Sequence, residues 1–139
     1  MVKHTDHVGG RCMNNKMSYA DFIELISKGT SGEDALKARQ NCPVNYVLNI
    51  LQGKWKNHVL FEMCAHETVR FGELKKALPE ITNTMLTNTL RELEADGLVN
   101  REQFNEIPPH VEYSLTDKGR GLMPIFYEIF VWGMKYKQK

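Results

Sequence analysis

The stretch "ITNTMLTNTLRELEADGLV", residues 81–99, carries one helical apolar period across two chemically different halves. Its first half is rich in Thr and Asn, which are mediocre helix formers. Its second half is built from Leu, Arg, Glu and Ala, which are good ones. Leu86, Leu90 and Leu93 fall at i, i+4 and i+7, a single face. Thr82 or Asn83 is placed to cap the start. Gly97 is placed to stop the end, with Leu98 folding back as the hydrophobic partner of that stop. With the leucines inward, Thr84, Thr87, Asn88 and Arg91 share the opposite face. Short donors and acceptors plus one guanidinium suit base edges and phosphates in a major groove. In a helix-turn-helix the second helix enters the groove with its N-terminal residues, and the body holds its later turns. Glu92, Glu94 and Asp96 would sit badly beside phosphates, and they lie in the second half. The composition is therefore that expected of a helix inserted end-on, with Asn83, Thr84, Thr87, Asn88 and Arg91 as contact residues. Thr and Asn are also ordinary capping residues at a helix start, so the surrounding elements must decide.

Upstream, "CPVNYVLNILQG" reads as a helix with Pro43 at its first position, Cys42 as N-cap and Gly53 as its end. "KWKNHVLFEMCAH" reads as the next helix, with Trp55, Val59, Leu60 and Met63 inward and Cys64 as packing. "ETVRF" is a short extended connector. "FGELKKAL" is a two-turn helix with Phe71, Leu74 and Leu78 inward, stopped by Pro79. Downstream, "LVNREQF" and "HVEYSLT" alternate around "NEIPPH", the pattern of a hairpin with a proline-bearing tip. "DKGRGLMPIFYEIFVWGMKYK" reads as one long helix with Leu122, Ile125, Phe126, Ile129, Trp132 and Tyr136 at helical spacing. Met123, Phe130 and Val131 add apolar surface on its other sides, and a terminal helix apolar on several sides needs a partner. This order of elements is a winged helix-turn-helix: mainly α, with a small β-hairpin wing and extra terminal helices.

The first forty residues are less ordered in pattern. Residues 1–18 lack a period and contain Gly-Gly and Asn-Asn. "SYADFIELISKG" predicts a short helix capped by Ser18 and Asp21 and closed by Gly29, and "SGEDALKARQ" a second. The expected organisation is an N-terminal extension over 1–41, a candidate dimer arm, followed by a DNA-binding domain over 42–139.

The chain of 139 residues has the composition of an ordinary globule and a net charge of +1. No global field points to nucleic acid or membrane, so local placement of cations must carry any DNA contact. Cys12, Cys42 and Cys64 are odd in number and form no C-x-x-C pair, which points to a reducing compartment. With no signal-peptide pattern and an apolar C-terminal run too short to span a bilayer, the expected location is the cytoplasm, away from membrane. His4, His7 and Cys12 do not have zinc spacing, and "QGKWKN" lacks the glycine and hydroxyl of a phosphate loop. No nucleophile-base-acid arrangement stands out. Neither catalysis, nor a metal, nor a cofactor is expected.

"CPVNYVLNILQGKWKNHVLFEMC", "RFGELKKALPEITNTMLTNTLRELEADGLVNRE" and "PPHVEYSLTDKGRGLMPIF" together resemble the HxlR-type winged helix-turn-helix regulators of bacteria, a branch of the MarR-like superfamily. The marks are Cys42-Pro43, Gly53-Lys54-Trp55, Arg70-Phe71, the run from Leu90 to Glu94 with Gly97-Leu98, and Val111-Glu112-Tyr113, in register over roughly 90 residues. The resemblance implies a homodimer on a near-palindromic double-stranded DNA operator, held together by terminal helices. Members commonly repress neighbouring genes. Several sense oxidants or electrophiles through a cysteine near the N-terminus, the position of Cys42. Relatives often carry basic residues where this chain has Thr84 and Thr89, so affinity is expected to lean on other cations.

Those cations are Lys54, Lys56, Arg70, Lys75 and Lys76, with Arg101 and His110 on the wing, all candidate phosphate contacts. The alternative for each is a solvated surface residue, and the wing tip also holds the unfavourable Glu106. Cys42, before a helix N-terminus, occupies a setting that favours thiolate and makes it a candidate redox sensor; the alternative is a half-buried cap. Phe22, Ile26, Leu122, Ile125, Phe126, Ile129 and Trp132 are the candidate dimerisation residues. Two other functions remain open on the same fold: a protein-interaction module without DNA binding, and a binder of a small-molecule inducer.

Overall fold

The structure is a computed structural model that describes residues 17–27 and 40–138. It divides into two compact units, Met1–Leu51 and Gln52–Lys139. The helix beginning at Pro43 falls in the first unit.

In the first unit, α1 spans Tyr19–Ser27 and α2 spans Pro43–Leu51. The expected capping of α1 is present. The Asp21 backbone N–H donates to Ser18 Oγ at 3.1 Å, and the Ser18 N–H donates back to the Asp21 carboxylate at 3.2 Å. Pro43 opens α2, where its missing N–H costs nothing, and the Cys42 carbonyl accepts from the Tyr46 N–H at 3.1 Å. Cys12, Gly29, most of the second short helix (31–39) and the side chain of Ile26 lie outside the described residues.

The second unit holds α3 (Lys56–Cys64), α4 (Phe71–Ala77), α5 (Asn83–Ala95), β1 (Val99–Phe104), β2 (His110–Leu115), α6 (Asp117–Arg120) and α7 (Met123–Tyr136). Much of its core follows the faces read from the sequence: Val59, Leu60 and Met63 of α3, Leu74 of α4, and Leu86, Leu90 and Leu93 of α5 are all buried, whereas Phe71 and Leu78, expected inward, are half-buried. α3 packs on α4, α5 and β2, and so forms the platform behind the helix-turn-helix. Ile81 is fully buried in the turn between α4 and α5, two residues after Pro79.

β1 and β2 pair antiparallel from Val99↔Leu115 to Phe104↔His110. The connector before α4 adds a one-residue third strand, because Val69 and Tyr113 exchange two backbone hydrogen bonds of 2.8 Å. The hairpin is thereby tied to the entry of α4.

The end of α5 is a Schellman stop. The Gly97 N–H reaches the Glu94 carbonyl at 3.0 Å, and the Leu98 N–H reaches the Leu93 carbonyl at 2.9 Å. Gly97 sits at φ 74°, which only glycine adopts freely, and Leu98 is buried as its hydrophobic anchor. Thr116 then joins this stop to α6. Its hydroxyl donates to the Gly97 carbonyl at 2.6 Å and accepts from the Gly119 N–H at 3.1 Å.

Two expectations are corrected. The C-terminal segment is two helices, not one. Pro124 has no N–H to give the Arg120 carbonyl and its ring would strike it, so the chain closes a tight turn at Leu122 and restarts with Pro124 in the first turn of α7. Cys64 is exposed rather than packed: it is the last residue of α3, with its thiol donating to the Phe61 carbonyl at 2.9 Å. Leu122 and Phe126 are buried within the unit, and Phe126 meets Phe61 edge-on at 4.7 Å. They fill this unit's own core and offer little exposed surface to a second copy.

Candidate nucleic-acid interface

α5 owes its two faces to its turns. Thr82 caps it, accepting from the Met85 N–H at 3.1 Å, and this frees Asn83 and Thr84 to project from the first turn. Asn83, Thr84, Asn88 and Arg91 are exposed and Thr87 is half-buried, opposite the three buried leucines. The Thr87 hydroxyl donates to the Asn83 carbonyl at 2.8 Å, which leaves its lone pairs outward as acceptors. The structure therefore brings the five sequence-derived contact residues to the solvent side of one helix.

Thr89 does not belong to that side. It is buried among the leucines, with its hydroxyl donating to the Met85 carbonyl at 2.7 Å. Its lack of charge thus takes nothing from the outer face. Met85, by contrast, is exposed there at 42 %. Sequence reasoning missed it because an apolar residue beside a leucine stripe reads as core. An exposed thioether next to Thr84 and Asn88 is suited to apolar contact with a thymine methyl.

The candidate phosphate residues separate into exposed and engaged groups. Lys54 is exposed, with its ammonium 4.7 Å from the Trp55 ring centroid. Arg70 caps the entry of α4, where its N–H donates to the Glu73 carboxylate at 2.7 Å; its guanidinium stays more than half exposed, 4.0 Å from Glu112. Lys76 is exposed, while Lys75 reaches forward to donate to the Pro79 carbonyl at 3.2 Å. Arg101 is exposed on β1 opposite Tyr113.

Two candidates are placed differently from expectation. Lys56 is buried, with its ammonium 3.2 Å from Glu92 and 3.4 Å from Asp96 of α5. It is committed inside the unit because α5 offers two carboxylates to the start of α3, and it leaves the set of phosphate candidates. His110 is stacked on Phe104 at 4.7 Å and lies 3.4 Å from Glu112 and 4.0 Å from Glu106. That pairing turns the imidazole toward wing carboxylates rather than toward solvent. The tip beyond it carries a fully exposed Ile107 followed by a cis Pro108.

Cys42 is half-buried ahead of α2. Ile125, Ile129 and Trp132 of α7 are exposed at 42, 56 and 66 %, and Phe22 of α1 is half-buried. Among the described residues no cluster of His, Cys, Asp or Glu has the makings of a metal site, and no helix is long and apolar enough to cross a membrane.

Comparison with known proteins decides the family. The model of the HxlR-like helix-turn-helix matches residues 50–139. The chain belongs to the HxlR-like helix-turn-helix family. Among its relatives is the HTH-type transcriptional regulator YdzF of Bacillus subtilis, 44 % identical over 101 residues, which covers 73 % of this chain and 93 % of YdzF. The redox regulator HypR in its oxidised form superposes with a TM-score of 0.62 at 45 % identity, covering 70 % of this chain and all of HypR. The reduced form of the transcriptional regulator YodB from B. subtilis gives a TM-score of 0.64 at 30 % identity, over 68 % of this chain and 93 % of YodB. This HxlR-like chain is thus a winged-helix, DNA-binding transcriptional regulator, and the resemblance read from its motifs stands. Its relatives are regulators rather than enzymes.

Proposed function

We propose that the chain acts as a homodimer on a near-palindromic operator, with α5 of each protomer in successive major grooves about 34 Å apart, and that occupancy of a promoter represses transcription. The observation that carries this reading is the division of α5. Three leucines are buried while Asn83, Thr84, Asn88 and Arg91 stand exposed, and the three acids occupy its later turns. In this reading Lys54, Arg70, Lys75, Lys76 and Arg101 meet phosphates, and Met85 joins the base-contacting side. The exposed apolar strip of α7, Ile125, Ile129 and Trp132, supports association of two copies, since a surface of that kind is stabilised by burial. The repressor role rests on the family resemblance.

The likeness to a redox regulator supports a second element: oxidation at Cys42 releases the operator. Cys42 holds the family's sensing position by resemblance and is half-buried beside the first turn of α2.

The decisive experiment is the salt dependence of duplex binding. A contact set of five or so phosphate cations per protomer gives a slope of log K against log salt near −0.9 for each phosphate neutralised. A flat response, at a protein concentration where the dimer is intact, would instead favour the protein-interaction module.

A further inference from the structure

The rear half of α5 is built against its own electrostatics. Glu92 and Asp96 stand one turn apart, where like charges repel, and both lie at the helix C-terminus, where the macrodipole is negative. Two lysines from different elements answer them. Lys56, at the start of α3, places its ammonium between the two carboxylates at 3.2 and 3.4 Å with only 11 % of its side chain exposed. Lys118, in α6, donates to the Asp96 backbone carbonyl at 2.6 Å. A buried ammonium demands partners, since leaving it uncompensated is costly. The two contacts therefore add a directional restraint on how α5 sits against the start of α3. Leucine packing alone is less exacting, because apolar contacts have no direction.

We propose that Lys56 is a positioning residue: it makes no contact with DNA, and through Glu92 and Asp96 it sets the angle at which α5 presents Thr84, Asn88 and Arg91. This rests on the reading that α5 enters the groove. Lys56 then contributes to discrimination between sequences and not to the charge-driven, sequence-independent part of binding.

The 139-residue chain is used to enrich a duplex from a randomised pool. Anisotropy at several salt concentrations then compares that duplex with a scrambled one. Lys56→Met keeps the aliphatic stem and removes the charge. A second variant, Glu92→Gln with Asp96→Asn, removes both negative charges and leaves amide oxygens that can still accept from the Lys56 ammonium. Both are expected to lower the ratio of enriched to scrambled affinity by about tenfold, the discrimination of roughly one base pair, with the salt slope unchanged. The carboxylate variant should bind scrambled DNA as well as or better than wild type, because two negative charges are gone. A folded Lys56→Met protein with the wild-type ratio, or one whose slope is flatter by about one unit as for a lost phosphate contact, overturns the proposal. If Lys56→Met does not fold, an unchanged or higher ratio in the carboxylate variant overturns it alone. A wild type that enriches no duplex brings down the groove reading and this inference together. An enriching wild type with unaffected variants removes only the inference.

Discussion

Replacing Gly119 by Ala should destabilise the protein, against the usual sign for glycine in a helix. Gly119 lies where α6 crosses the stop of α5, backbone against backbone. A Cβ added there would drive into the Leu98 carbonyl oxygen and meet the Leu98 carbonyl carbon at 3.2 Å and Leu115 Cδ2 at 3.3 Å. The carbonyl cannot rotate away, because it accepts the Thr116 N–H at 3.0 Å and belongs to the turn that ends α5. Overpacking of this kind costs about 1–3 kcal/mol. The helix propensity of Ala returns at most about 1 kcal/mol, and less in a helix of one turn. The net loss is about 1–2 kcal/mol, a fall in Tm of roughly 5–15 °C for a unit of this size. Gly72 in α4 supplies the control, since a Cβ there meets nothing within 4 Å. Gly72→Ala should be neutral or stabilising by up to about 1 kcal/mol. Urea denaturation followed by far-UV circular dichroism measures both. Equal stability of the two variants, or a Gly119→Ala protein more stable than wild type, would refute the close seating of α6 on the α5 stop.

Three further outcomes are expected. Arg91→Ala, at an exposed position on α5, should leave the melting temperature unchanged and flatten the salt slope by about one unit; a slope and affinity equal to wild type would remove Arg91 from the interface. Trp132→Glu should shift sedimentation toward the monomer, whereas Phe126→Ala, at a side chain 7 % exposed, should instead cost about 3–5 kcal/mol of stability; wild-type mass for Trp132→Glu would take α7 out of the dimer. Diamide should release the enriched duplex from wild type and not from Cys42→Ser, and equal release from both would leave Cys42 as a helix cap.

Much of the winged helix was legible because its signals are local. The leucines of α5, the proline after α4, the Gly97–Leu98 stop and the alternating strands each declare an element within a few residues. The outer face of α5 followed from the same period. What escaped the sequence depends on partners far along the chain. Lys56 reads as a solvated cation in "GKWKN", yet its burial is decided by carboxylates 40 residues away at the furthest. His110 reads as a wing contact until Phe104 and Glu112 are folded against it. Leu122 and Phe126 share a helical period with Ile129 and Trp132, and spacing cannot say where α7 leaves the core. Pro124 did carry the signal for the break before α7, and the apolar period across it concealed that.

By itself the sequence determined the kinds and order of the elements and the polar face of α5, since these rest on backbone geometry repeating every few residues. The tertiary structure alone decided which cations remain outside, that Phe126 is the part of α7 joining the core, and that Lys56 meets two carboxylates of α5. Those depend on charges and apolar surfaces brought together from distant segments, and no local pattern encodes that proximity.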